Sequence, residues 1–251
     1  MNNSIGGAIT KTAPLILFLL VWEWAGASDP RFQFLFASPS TTAEAFVVGI
    51  QSGELVRAAW ITLAEVVVGL ALGSVIGVIL GVAIGLSFGA ARIFEPYLIV
   101  LSSVPIFAIA PMTILWFGTG FLAKVMLVFL STVFLAVFQS YSGVRAVDKE
   151  LVLYFRSLGA NRTHLVRHIV MPSALEWIIS ACRLNVGFAI LGAFVAEFIS
   201  SNDGLGHFIL KSSGLYKVDA VLAGVFLLAV ISLAINYLIK ITERRILKWR
   251  Y

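Results

Sequence analysis

The sequence predicts an all-α, polytopic membrane protein with about six transmembrane helices, and three observations lead there. Hydrophobic residues make up 60% of the 251-residue chain and charged residues only 12%, about half the charged share of an ordinary soluble domain. Mean hydropathy is +0.98. The apolar residues also fall into runs of the length, about 20 residues, that a helix needs to cross the hydrocarbon core. The formal net charge of +5 does not point to nucleic acid. The basic residues cluster in short segments between the apolar runs, which is how membrane topology is encoded.

Taken in order, the expected spans are residues 13–28, 60–86, 94–118, 121–144, 174–200 and 219–241. In the first, Lys11, the run Ala13–Trp22 and Ala25-Gly26-Ala27 imitate a signal peptide. Trp22, Glu23 and Trp24 stand where a cleavage region prefers small, flexible residues. An uncleaved first span is therefore expected. It is followed by an external amphipathic stretch, so that residues 1–59 form an N-terminal segment and residues 60–245 the transmembrane domain. The third span contains Pro105 and Pro111. Backbone groups freed by these prolines need partners inside the protein, which puts this span against other helices.

Orientation follows from the charges between spans. With six spans, one side collects twelve basic residues, from Lys11 and Arg92 through Arg145, Lys149, Arg156, Arg162 and Arg167 to Lys240, Arg244, Arg245, Lys248 and Arg250. The other side holds five: Arg31, Arg57, Lys124, Lys211 and Lys217. The positive-inside rule then places both termini and the loop 145–172 in the cytoplasm.

In the second span Gly69, Gly73, Gly77, Gly81, Gly85 and Gly89 recur every fourth residue. At 3.6 residues per turn they line one stripe, which lets another backbone approach closely. Helix packing is the expected role, a smooth sliding or pore surface the alternative. Glu65 lies one turn before the stripe, and an intramembrane acid is a functional candidate by default.

Several chemistries find no support. The chain has no G-x-x-x-x-G-K-[ST] loop for ATP, and Gly204-Leu205-Gly206 after Asn202-Asp203 reads as a turn. His164 and His168 stand four apart on one helix, but no third His, Asp, Glu or Cys ligand is near in sequence, so no metal site is expected. Cys182, the single cysteine, reads as a packing residue. No nucleophile–base set is suggested by spacing. The chain does not read as an enzyme.

The loop 145–172 is the informative segment. Asp148 is placed to cap a helix in which Leu151, Phe155 and Leu158 share one apolar face. Gly159 follows, where a helix commonly ends in a left-handed residue. Asn161 opens a second short helix with Leu165 and Ile169, Val166 and Val170 on its apolar side, and Pro172 stops it or opens the fifth span. The result is a helix–turn–helix hairpin. It is either an interfacial loop whose arginines anchor topology or a docking element for a soluble partner.

At these residues the sequence resembles the permease subunits of binding-protein-dependent ABC importers. Their cytoplasmic signature runs Glu-Ala-Ala, three residues, Gly, nine residues, Ile-x-Leu-Pro. Here Gly159, nine residues and Ile169-Val170-Met171-Pro172 keep that spacing, while Leu153-Tyr154-Phe155 replaces Glu-Ala-Ala. Val104-Pro105, Ala110-Pro111 and Ile114-Leu115-Trp116-Phe117-Gly118, then Ala196-Glu197-Phe198-Ile199 with Gly204-Leu205-Gly206, resemble the branch for taurine, alkanesulfonates and nitrate. The likeness runs from about residue 60 to 245. It implies a type I importer permease of MetI-like architecture in the cytoplasmic (inner) membrane, with two copies of this chain, two ATP-binding subunits and an external solute-binding protein. ATP and Mg would be bound by the ATPase, with no cofactor on this chain. The hairpin would dock on that ATPase through Leu151, Phe155, Arg156, Leu158, Gly159, Ala160, Ile169 and Pro172.

Polar groups inside spans three to five are the candidates for the translocation path: Ser103, Arg183, Asn185 and Glu197, with Ser102, Thr113 and Ser131 nearby in sequence. Arg183 and Glu197 share a helix face about 21 Å apart and cannot pair with each other. Arg183 serves either a structural ion pair or the pore. The taurine and nitrate permeases carry a basic residue where Ser102-Ser103 stands, so a neutral or heterocyclic solute competes with an anion. The rival from another class is an ATP-independent secondary transporter or channel, which would show internal repeats and paired charges along an ion route; no clear repeat is visible. A structural scaffold would leave the hairpin unexplained.

Overall fold

The computed structural model describes residues 3–28, 35–200 and 202–246, all helices and connections with no strand among them. Arg31, Lys248 and Arg250, three of the charges behind the topology assignment, lie outside these residues. In chain order the helices are α1 (Asn3–Ser28), α2 (Pro39–Gln51), α3 (Glu54–Leu86), α4 (Phe88–Ser103), α5 (Ala110–Phe117) and α6 (Phe121–Arg145). Then come α7 (Lys149–Ser157), α8 (Arg162–Leu165), α9 (Met171–Ser200), α10 (Leu205–Gly214) and α11 (Val218–Ile246). A 3₁₀ turn (Ile106–Ile109) leads into α5, and a π turn (Val166–Val170) joins α8 to α9.

Among the described residues four helical stretches are long and apolar enough to cross a membrane: α3, α6, Arg162–Ile199 and Val218–Arg245. Phe88–Ser103 with Ile106–Phe117 makes a fifth when counted as one bent span. The expected first span falls short of that length, since its apolar part within α1 is Ala13–Gly26.

The chain divides into two compact units, residues 1–61 with 203–229 and residues 62–202 with 230–251. In the first, Gly26 lets α1 approach the entry to α2: a Cβ there would lie 2.8 Å from Ala37 O. Trp22 Nε1 donates to that same carbonyl at 3.1 Å. Ser38 and Thr41 form a reciprocal capping box at the start of α2, satisfying helix donors that would otherwise be orphaned. Glu23 accepts from Ser40 Oγ at 2.7 Å and Ser40 N at 3.0 Å. Arg57–Asp203 (3.0 Å) and Lys211–Glu54 (2.8 Å) are exposed ion pairs.

The second unit is built around α6, the most buried of the spans. α4 packs Ala91 and Leu98 on Val133, Val137 and Tyr141 of α6. Ala110 of α5 and Ala196 of α9 meet Leu127. Val144 joins Ala174 and Ile178 of α9, with Val78, Val82 and Leu86 of α3 packed against them.

The third span is not the continuous helix expected over 94–118; it bends by 76° at the break. Val104 is extended (φ −70°, ψ 130°) because Pro105 disfavours the helical region for the residue before it. Pro111 sits in the first turn of α5, where its missing N–H costs nothing. Nor is the span enclosed by helices on all sides. Ala91, Leu98, Ala110 and Thr113 are buried, while Phe88, Tyr97, Val100 and Leu115 are exposed in the single chain.

Candidate functional site

The glycine stripe of α3 lies against α6, with no sliding surface between them. A Cβ at Gly69 or Gly77 would come within 2.5 Å of the Val128 or Ala136 side chain, and one at Gly85 within 2.7 Å of Val144. At Gly73 and Gly81 it would collide with Thr132 Oγ1 and with the carbonyl of Val137. Gly89, which continues the period in sequence, has open space around it and belongs to α4. The stripe therefore ends at Gly85.

The loop expected to form the hairpin is capped as its residues suggest. Asp148 accepts from Glu150 N at 2.8 Å, and Asn161 from His164 N at 2.8 Å. Gly159 has φ +84°. Gly159 N donates to Arg156 O and Ala160 N to Phe155 O, both at 3.0 Å, the paired bonds of a Schellman turn. Leu151, Phe155 and Arg156 on α7 and Leu158, the residue capping its C-terminus, are exposed. The second limb departs from expectation. It is no separate short helix closed by Pro172, since Arg162–Ile199 runs unbroken. The π turn accommodates the proline: Met171 N bonds Val166 O, five residues back, which relieves the clash and the lost donor that Pro172 brings to a regular α-helix.

Ile169, expected among the docking residues, faces the interior of the chain. It and Leu165 are buried within the chain, and neighbouring Val170 packs against the Val144–Ala174–Ile178 cluster. The presented apolar face is that of α7 alone. Arg162 is used inside the chain as well, with Nη2 donating to Leu86 O at 3.2 Å, a free carbonyl at the C-terminus of α3. His164 and His168 stack with ring centroids 5.3 Å apart; among the described residues no group of three His, Cys, Asp or Glu is placed to hold a metal.

The interior polar groups do not converge. Ser103 is exposed and, like Ser102, donates to Ile99 O at 2.9 Å. Arg183 pairs with Glu243 of α11. Asn185 is buried and donates to Thr132 O at 3.3 Å. Glu197 accepts from Thr62 Oγ1 at 2.6 Å. It also faces Glu65, whose carboxylate pairs with Lys124. All of Thr62, Glu65, Lys124 and Glu197 are at most 6% exposed. Lys124 is thus a buried partner of Glu65 within α6, and not the loop charge that the topology count made it. The signal was present, in that a lysine stands three residues into an apolar run. Glu243 was likewise missed, in a polar segment that read only as a basic tail.

Beside the break at Pro105 lies a recess of about 170 Å³. Phe107, Phe134 and Phe188 line it together with Ser102 and Ser131, and no charged side chain contributes. Ser131 Oγ donates to Val128 O at 2.8 Å, with Phe188 O at 3.2 Å.

Long apolar spans, one of them broken beside a recess, and a capped, exposed helix between two spans define a helical membrane permease. Residues 73–248 match the family model of the binding-protein-dependent transport system inner membrane component. The chain belongs to that family and is an ABC importer permease of the binding-protein-dependent type. It is 32% identical over 244 residues to the putative aliphatic sulfonates transport permease protein SsuC of Escherichia coli (strain K12), covering 96% of this chain and 93% of the relative. It is 31% identical over 242 residues to the riboflavin transport system permease protein RibX of Chloroflexus aurantiacus, covering 96% and 90%. Among solved structures, a chain of the bacterial alginate ABC transporter, in complex with an alginate pentasaccharide-bound periplasmic protein, superposes with a TM-score of 0.63. That match covers 96% of this chain and 97% of the other at 17% identity, a likeness of fold.

Proposed function

We propose that this chain lines the translocation path of an ATP-driven importer for a small organic solute and docks a separate ATPase through α7. The carrying observation is the apolar face of Leu151, Phe155 and Leu158. It is exposed on a helix capped at both ends and joined through Gly159 to an unbroken span. Capping holds the helix in shape while its apolar face stays exposed among the described residues, which is what a protein–protein anchor needs. The ATPase supplies the P-loop, ATP and Mg; this chain is not an enzyme and carries no cofactor. Two copies form the path, with the solute-binding protein outside and both termini and α7 in the cytoplasm. Affinity purification of the tagged chain co-expressed with its ATPase tests the docking. Phe155→Asp and Leu158→Asp each lower ATPase recovery by about tenfold or more, as expected of a central apolar anchor. Full recovery in both variants overturns the assignment.

The recess supports an uncharged or heterocyclic solute over a sulfonate-like anion. Three phenylalanines offer flat apolar contact, two serine oxygens whose protons go to backbone carbonyls remain as hydrogen-bond acceptors, and no charged side chain lines the recess to pair an anion. The resemblance to a riboflavin permease fits this, and that to a sulfonate permease leaves the anion as the competing class. Titrating the cognate binding protein with riboflavin and with an alkanesulfonate separates them. Saturable binding of the sulfonate alone overturns the heterocycle.

A further inference from the structure

We infer that one face of the C-terminal half of α11 binds an anionic phospholipid, with Lys240 and Arg244 on its headgroup, Tyr237 at the glycerol ester and Leu233 along an acyl chain. The orientation proposed above makes this a lipid of the cytoplasmic leaflet; the binding itself does not depend on it. Leu233, Tyr237, Lys240 and Arg244 stand at positions i, i+4, i+7 and i+11 of one helix, so they share a face. All four are exposed, Leu233 at 70% and Tyr237 at 65%. From Leu233 to Arg244 the face covers about 16 Å along the axis, roughly one leaflet of the ~30 Å hydrocarbon core. Its chemistry changes over that length in the order a phospholipid presents: an aliphatic side chain, a phenol, then two cations one turn apart.

Two further observations favour lipid as the occupant. α11 is the least enclosed of the four spans: 22% of its most apolar stretch is buried within the chain, against 56% for α6. Hydrocarbon therefore lies against this helix. The charges on the face are also left for a headgroup. Glu243, the only acid between residues 230 and 246, turns inward and pairs with Arg183 of α9. Among the described residues no ion pair joins Lys240 or Arg244, whereas the exposed Arg57 and Lys211 each hold a carboxylate. A guanidinium offers a phosphate two parallel hydrogen bonds. Lys240 lies one turn deeper, and its long stem carries the ammonium out to the same level. A tyrosine at the depth of Tyr237 keeps its ring in hydrocarbon and its hydroxyl at the ester groups. Surface potential alone acts on every juxtamembrane cation alike; this face adds a seat for the ester and the tail.

Native mass spectrometry of the full-length chain, stripped of lipid in detergent, reads the site directly. The protein is titrated with dioleoyl phosphatidylglycerol and with dioleoyl phosphatidylcholine, which share their tails. Phosphatidylglycerol binds about tenfold more tightly or better, as expected of two cations beside one anionic headgroup. Lys240→Gln with Arg244→Gln removes that preference and leaves phosphatidylcholine binding unchanged. Arg92→Gln with Arg167→Gln, which removes the same charge from other exposed positions, leaves the preference in place. A photoactivatable acyl chain on phosphatidylglycerol labels the peptide that carries Leu233 and Tyr237, and excess soluble glycerol phosphate does not displace it. Equal affinity for the two lipids, or a preference that survives Lys240→Gln with Arg244→Gln, overturns the site. Displacement by glycerol phosphate overturns it too, since the cations then hold a free phosphate. So does a disulfide between two copies of a Leu233→Cys chain, which would put a second copy on this face. In detergent neither leaflet exists, so a reversed orientation in the membrane changes none of these outcomes.

Discussion

Arg162 Nη2 donates to the carbonyl of Leu86 at 3.2 Å, tying the first turn of the hairpin's second limb to the last residue of α3. The carbonyls of a helix C-terminus have no partners within the helix, and a cation there also suits the helix dipole. The contact makes the hairpin part of the same body as the glycine-striped span. Arg162→Ala removes an exposed hydrogen bond worth about 0.5–1.5 kcal/mol. Hydrogen exchange of the last turn of α3 accelerates, while Arg167→Ala leaves it unchanged.

The glycine stripe divides at Gly85. Gly81→Ala drives a Cβ into the Val137 carbonyl, where backbone must move, and lowers stability by about 1–3 kcal/mol or more. Gly89→Ala enters open space on a helix and is neutral or stabilising by less than about 1 kcal/mol. Thermal denaturation midpoints in detergent compare the two. Equal midpoints would show that α3 and α6 are not in contact along the stripe.

At Gly159 the left-handed backbone (φ +84°) penalises any residue with a Cβ. Gly159→Ala costs about 1–2 kcal/mol of local stability, and Asp148→Ala, which removes the cap at the other end of α7, about 1 kcal/mol. Both variants keep the apolar face intact. Amide exchange within α7 therefore rises in each, and ATPase recovery falls less than with Leu158→Asp.

Glu243 is mostly buried beside Arg183. Glu243→Ala leaves the guanidinium without its carboxylate, at a cost of about 1–3 kcal/mol because Arg183 is partly exposed. The double variant Arg183→Met with Glu243→Met recovers most of the loss. Uptake by the double variant then separates the two roles of Arg183. Normal uptake assigns the arginine to structure, and loss of uptake with assembly intact assigns it to the path.

Much of the architecture was legible because it depends on local order. Apolar runs mark α3, α6, α9 and α11, the four-residue glycine period marks a contact face, and Asp148, Gly159 and Asn161 end and begin helices through bonds to their immediate neighbours. Pro105 announced a disturbed span, though not its 76° bend. The extent of that bend depends on how α4 and α5 each find a seat on α6.

What only the tertiary structure decided is the pairing of groups distant in sequence. Lys124 reads as a loop charge until α3 lies beside α6 and brings Glu65 to it. Arg183 reads as a lone intramembrane cation until α11 presents Glu243, 60 residues away. Pro172 reads as the stop of a short helix or the opening of the fifth span; a π turn lets both be one helix, with Val170 before the proline and Ala174 and Ile178 after it packed in the Val144 cluster. By itself the sequence determined which segments are helices and where most of them end, since those are contests between a residue and its neighbours within a turn or two. Which buried charges meet, which hairpin face stays open and how far the third span bends were decided by packing between helices, where close approach of glycine and the demand for a partner in an apolar interior act across the whole fold.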